Sequence, residues 1–150
     1  DVVICSGHKA LRTTTKEIPE FKRNAIGNKA MNTNEPMNGL SVIYPDATHI
    51  VVVTKNGMFN KFNIGLLEPK SRAKAGSSVI KLSGNDEIFN IFSVNETDKI
   101  RILTSDGAEE INVSDIKEKS SIAAGTKMMK SKGAIVRADV VRWEFVSHLL

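Results

Sequence analysis

Cysteine is almost absent: Cys5 stands alone among 150 residues, so no disulfide can close within the chain. That fits a reducing compartment, and a cytoplasmic location is the expectation. Histidine is sparse as well. His8, His49 and His148 are scattered, and with a single cysteine they do not make up the four ligands of a zinc site. No apolar run approaches a membrane span and the amino terminus has no signal-peptide pattern, so no membrane partner is expected. Neither a P-loop nor a dinucleotide fingerprint occurs, which excludes the obvious ATPase readings, and no cofactor is expected. No long segment keeps a 3.6-residue apolar period, which argues against a helical fold. An initiating methionine is missing too; a start at Asp1 suits a piece cut from something longer.

What is present is ordinary globular composition. Hydrophobic residues make up 41% and charged residues 25%, enough apolar content to fold and not the balance of a disordered chain. At this length one domain can bury a core. The net charge of +4 is unevenly placed: residues 1–81 hold 12 Lys or Arg against 6 Asp or Glu, and residues 82–150 hold 9 against 11. The basic character belongs to the first half, where it suits a polyanionic partner.

The chain repeats. Three segments share a run rich in β-branched residues, a polar turn with glycine and an alternating strand: VVICSGHKALRTTTKEI, IVVVTKNGMFNKFNIGLL and IRILTSDGAEEINVSDI. Their turn glycines, Gly7, Gly57 and Gly107, are fifty residues apart each time. Asn56-Gly57 and Asp106-Gly107 are strong tight-hairpin signals, expected to place both turn residues at positive φ. Each hairpin leads into a polar loop with a further glycine, Gly27, Gly76 or Gly125, then a short apolar strand and a strand closing the unit. Four strands per unit is a propeller-like layout. The expected fold is all-β, with three repeats in one domain, approximately 1–48, 49–97 and 98–150.

In this order of elements the sequence resembles the C-terminal domains of gyrase A and topoisomerase IV A subunits, members of the type IIA topoisomerases. Thr54-Lys55-Asn56-Gly57 and Thr104-Ser105-Asp106-Gly107 match that family's T-x-x-G turn, and Val113-Ser114-Asp115-Ile116 matches its V-S-E-I-like segment, with Lys16-Glu17-Ile18 a looser copy. The resemblance implies a β-pinwheel of about three four-stranded blades, partial or shortened. It implies a module that binds and bends double-stranded DNA without catalysing, beside the cleavage core of the A subunit and an ATPase subunit. One motif departs. The Q-R-R-G-G-K-G box of the gyrase branch has no copy here; the nearest strings are Lys22-Arg23-Asn24-Ala25-Ile26-Gly27 and Lys70-Ser71-Arg72-Ala73-Lys74-Ala75-Gly76. Topoisomerase IV-like or phage-type behaviour is therefore expected over active negative supercoiling.

Phosphate binding needs several cations on one surface, with little reading of bases. The first unit offers Lys9, Arg12, Lys22, Arg23 and Lys29, and the second Lys61, Lys70, Arg72, Lys74 and Lys81. In the third unit Lys117, Lys119 and Lys127 are diluted by Asp115 and Glu118, so the DNA path is expected to weaken there. Backbone N–H groups near Gly27 and Gly76 are candidates for further phosphate contacts. Phe21, Phe59 and Phe62 read as core residues, Cys5 as a small strand residue, Tyr44 as a half-buried structural ring and Trp143 as packing in a closing strand or at an interface. The acids Asp106, Glu109, Glu110 and Asp115 read as a solvated face. The alternative is a propeller-like protein-interaction module, which an exposed apolar patch across blade faces would favour.

Overall fold

The β-branched runs become the central strands of three antiparallel sheets. In the computed structural model, which describes residues 1–142, β1 (Val2–Ser6) and β2 (Lys9–Thr13) form the first hairpin. β4 (His49–Thr54) with β5 (Met58–Asn63), and β8 (Lys99–Thr104) with β9 (Gly107–Asn112), form the second and third. A further strand lies along the first strand of each hairpin: β3 (Met37–Val42), β7 (Ile88–Val94) and β11 (Ile135–Val141). The architecture is all-β, as expected; Trp143 lies outside the described residues.

The short strand after each loop does not stay with its own unit. β6 (Ser77–Ser78) pairs with β2 of the first sheet, and β10 (Thr126–Lys127) pairs with β5 of the second. The strand orders are β3-β1-β2-β6, β10-β5-β4-β7 and β11-β8-β9, so the sheets hold four, four and three strands among the described residues. The physical reason is the edge: β2 and β5 would otherwise leave a row of backbone donors and acceptors unpaired. Gly76 permits the crossing. Its φ is +77°, and a Cβ there would lie 2.5 Å from the Ala10 carbonyl oxygen, so only glycine lets the chain pass so close.

The hairpin turns differ from expectation in one respect. Gly57 and Gly107 take positive φ, but Asn56 and Asp106 do not. Gly57 N–H donates to the Thr54 carbonyl at 3.0 Å, giving a turn that closes on a left-handed glycine, not a type I′ pair.

Apolar layers fill the spaces between sheets. Val3, Cys5 and Ala10 meet Ile50, Val52, Phe62 and Ile91; Val51, Val53, Phe59 and Val94 meet Ile100, Ile102 and Ile111. Each fully buried large side chain contributes about 1.5–3 kcal/mol, against about 0–1 for an exposed ion pair, so these layers carry the fold. Buried on both faces, β4 reads as the continuous run HIVVVT; β8, covered on one face, alternates as KIRILT. The outward side of the third sheet carries the exposed Arg101–Glu110 and Arg137–Asp139 ion pairs. The outward side of the first sheet is apolar, with Leu40 64% and Val42 53% exposed. Phe59 and Phe62 are core residues, whereas Phe21, expected there, is 55% exposed on a loop. Burial pushes the Cys5 thiol up to about 12, which leaves no thiolate at neutral pH and fits a packing role.

Arg142, at the end of the third sheet, is 4% exposed and gathers both inter-unit turns. Its guanidinium pairs with Asp46 at 3.0 Å and Asp98 at 3.2 Å and lies 4.4 Å over the Tyr44 ring, giving that tyrosine a structural task. Slight desolvation raises the Asp46 carboxyl, but the Asn95 amide and the Arg142 charge outweigh it and hold the group below its ordinary value.

Candidate nucleic-acid interface

The loops of the first two units are stitched together by backbone and by one arginine. Lys70 N–H donates to the Arg12 carbonyl, Ala73 N–H to the Ala30 carbonyl and Asn32 N–H to the Lys74 carbonyl, each at 2.8 Å. Arg72 spans the seam: its Nε donates to the Glu17 carbonyl and its Nη1 to the Lys29 carbonyl, both at 3.1 Å. The seam joins the loop that carries Lys22, Arg23 and Lys29 to the loop that carries Lys70 and Lys74, and all five are exposed. Lys29 Nζ touches only the Asn32 side chain, at 3.1 Å, and no ion pair among the described residues engages any of the five. Glu17, Glu20, Glu35 and Glu68 are the exposed acids on these two loops, fewer than the basic residues there, so the joined loops keep an excess of positive charge.

One backbone strain sits at this seam. Ala73 has φ +64°, the single positive value at a non-glycine residue among those described. A Cβ in that region costs about 1–2 kcal/mol. The left-handed step turns the chain between Arg72, which clamps the loop before it, and Lys74, whose carbonyl receives Asn32. Replacing Ala73 with glycine removes the penalty without removing a bond, so the variant is expected to melt higher, by about 0.5–1 kcal/mol in stability. Thermal denaturation checks this.

The ten candidate cations therefore divide. Lys22, Arg23, Lys29, Lys70 and Lys74 form the exposed group just described. Lys81 is exposed where the second loop meets the third, its N–H donating to the Ala123 carbonyl at 3.0 Å. Lys9 is half-buried on β2 opposite Ser78. Arg72 serves the seam. Arg12 pairs with Asp1 at 3.0 Å and donates to the Leu67 carbonyl at 3.2 Å. Lys61 is 3% exposed; its ammonium pairs with Glu96 at 3.0 Å and donates to the Val113 carbonyl at 3.0 Å.

Arg12 and Lys61 hold the same place in their sheets, opposite Val3 and Val51, and Glu110 holds it in the third, opposite Arg101. The first two anchor the loop that follows, since Lys119 N–H meets the Lys61 carbonyl as Lys70 N–H meets that of Arg12. Around Lys61, His49 Nε2 contacts Glu118 and its Nδ1 lies 3.5 Å from Glu96, closing a small ionic knot between the second and third units. The signal for this was present: Lys61 lies between Asn60 and Phe62 in a strand with little solvent on either side. Of the two loop glycines, Gly76 is spent on the strand crossing, while around Gly27 nothing lies within 4 Å of a Cβ position.

Sequence reasoning did not group Lys55, Lys127 and Lys132, which the fold brings to one cleft at the turn end of the second sheet. Among the described residues no group of three or more His, Cys, Asp or Glu side chains is placed to hold a metal ion. Among the same residues no helix is long and apolar enough to cross a membrane.

Comparison with known proteins agrees with this geometry. The family model for the DNA gyrase C-terminal domain, a β-propeller, matches residues 9–36 and 48–95. No curated protein matches the chain. Among solved structures, a C-terminal domain of DNA topoisomerase IV superposes with a TM-score of 0.84 at 24% identity, over 95% of this chain and 47% of that one. A DNA gyrase A C-terminal domain gives 0.74 at 20% identity, over 94% and 48%. The E. coli ParC C-terminal domain gives 0.66 at 15% identity, over 93% and 61%. The chain thus spans about half the length of the first two structures. With its repeated hairpins, its exchanged outer strands and a family match over more than half its residues, the chain belongs to the DNA gyrase C-terminal domain β-propeller family.

Proposed function

We propose that this chain is a non-catalytic, sequence-indifferent module that binds and bends duplex DNA for a type IIA topoisomerase, with residues 1–48, 49–97 and 98–150 acting as three repeats of one domain. The observation that carries this reading is the seam: two loops locked together by Arg72, presenting Lys22, Arg23, Lys29, Lys70 and Lys74 without acidic partners among the described residues. Like charges gathered on two joined loops repel one another, and a run of phosphates relieves that repulsion while releasing counterions. Lys9 and Lys81 extend the surface on either side. Arg12, Lys61 and Arg72 hold the loops in place, as their bonds to backbone carbonyls suggest.

Topoisomerase IV-like behaviour is favoured over gyrase-like wrapping because none of the three loops contains the gyrase box. The partners are then double-stranded DNA, the A-subunit cleavage core and the ATPase subunit, in the cytoplasm. The test is a competition between two long duplexes of unrelated sequence. Phosphate binding is expected to hold both with affinities equal to within about threefold, since such contacts carry no base information. A preference of about a hundredfold for one sequence, well inside the range of specific readers, would contradict it.

A further inference from the structure

A second basic surface lies at the turn-bearing end of the second sheet. Between the β4–β5 turn and the stretch after β10 is a cleft of about 580 Å³, lined by Lys55 and Gly57 on one side and Lys127, Ser131, Lys132 and Gly133 on the other. No acidic side chain lines it. Lys127 and Lys132 are exposed and have no ion-pair partner among the described residues. Lys55 alone is engaged, by Glu87, in a pair exposed to solvent.

The nearby acids are occupied in holding the cleft wall. Glu109 accepts the Lys130 and Ser131 N–H groups at 2.8 and 2.9 Å, and Asp106 receives the Ser131 hydroxyl at 3.5 Å. These bonds fix the backbone that carries Lys132. The neighbouring cleft at the same end, between the first and second sheets, has nearly the same volume, about 530 Å³, and the opposite character: Glu35, Asp86 and Glu87 line it with Lys55. Positive charge is therefore specific to the second cleft and not a general feature of this end of the fold.

We propose that the cleft formed by Lys55, Lys127 and Lys132 binds phosphate groups of a duplex, a contact separate from the loop seam. The proposal rests on the reading of the chain as a duplex-phosphate binder and adds the third unit to that surface. Charge counting along the sequence weakens the path in that unit, because it sets Lys127 against acids that are engaged elsewhere. Strand exchange moves Lys127 onto the second sheet, opposite Met58 and close to Lys55.

The test compares the full chain with a double variant, Lys127→Gln and Lys132→Gln, and with a control pair, Lys99→Gln and Arg101→Gln, in duplex binding across a salt series. Loss of two phosphate contacts is expected to reduce the log–log salt slope by about 1.8 and to weaken low-salt binding by about tenfold, while the control pair leaves both nearly unchanged. Thermal melting confirms that each variant is folded. A double variant whose slope equals that of the unsubstituted chain overturns the proposal and leaves the loop seam standing. Absence of salt-sensitive binding by the unsubstituted chain overturns both readings. Amide shifts at Gly57 and Gly133 on adding inorganic tripolyphosphate identify a site that takes free polyphosphate as well. Shifts seen with duplex alone assign the phosphate source to DNA, and no shift with either probe overturns the site.

Discussion

Reversing the charge of Lys22, Arg23, Lys29, Lys70 and Lys74 to glutamate is expected to weaken duplex binding at low salt by at least about a thousandfold. Five phosphate contacts at about 1 kcal/mol each give roughly 5 kcal/mol, and each 1.4 kcal/mol is tenfold in affinity. The fold should survive, because all five side chains are exposed and none anchors a backbone group through its charge. Lys29 lends only its carbonyl to the seam, which a glutamate also supplies. Binding by fluorescence anisotropy, with a melting curve for each variant, separates loss of affinity from loss of structure. Reversal of exposed lysines and arginines away from both the seam and the Lys55–Lys127–Lys132 cleft, such as Lys99, Arg101 and Arg137, should cost far less per residue. An equal loss from such distant changes would mean that net charge, and not this surface, governs binding.

Lys61→Ala is expected to act in the opposite manner, lowering stability while sparing the salt dependence of binding. The substitution leaves the Val113 carbonyl without its charged donor, strips Glu96 of its pair and opens a gap between the second and third sheets. A charged hydrogen bond to a buried carbonyl contributes about 1.5–3 kcal/mol and the lost packing adds to it, so about 3 kcal/mol is expected. In a domain of this size that corresponds to a fall in melting temperature of roughly 6–12 °C. Glu96 is half-exposed and rehydrates readily, which keeps the cost below that of a fully buried pair. A salt slope that fell by about one unit with no change in melting would instead make Lys61 a phosphate ligand.

These two results would express a division that the sequence shows only in part. Repeats, hairpins and the all-β class were legible because they rest on local chemistry: β-branched runs, and glycines at fifty-residue spacing. Turn geometry was less so, since Asn56 and Asp106 suit more than one tight turn and the bond from Gly57 to Thr54 decides between them. Strand exchange was hidden. Ser77 and Ser78 have no apolar alternation, and their place on β2 is set by an edge nearly seventy residues earlier and by a glycine that fits over Ala10.

Among the cations, composition located the basic loops but not each residue's partner. Lys61 and Lys74 are alike as letters, yet one is enclosed by Glu96 and Val113 and the other stands in solvent. Arg72 reads as a phosphate ligand, and only the structure shows the two carbonyl bonds that also tie it into the seam. The cleft of Lys55, Lys127 and Lys132 joins residues far apart in the chain through that same strand exchange.

The central claim is that phosphates are held by cations on a preformed seam, and a salt titration tests it most directly. Binding of the chain to one long duplex, followed across a range of monovalent salt, should give a straight log–log plot with a slope at least as steep as about −5, the value for five or six neutralised phosphates. A slope near zero, or no binding at low ionic strength, would contradict the account and leave the basic loops as a solvated surface.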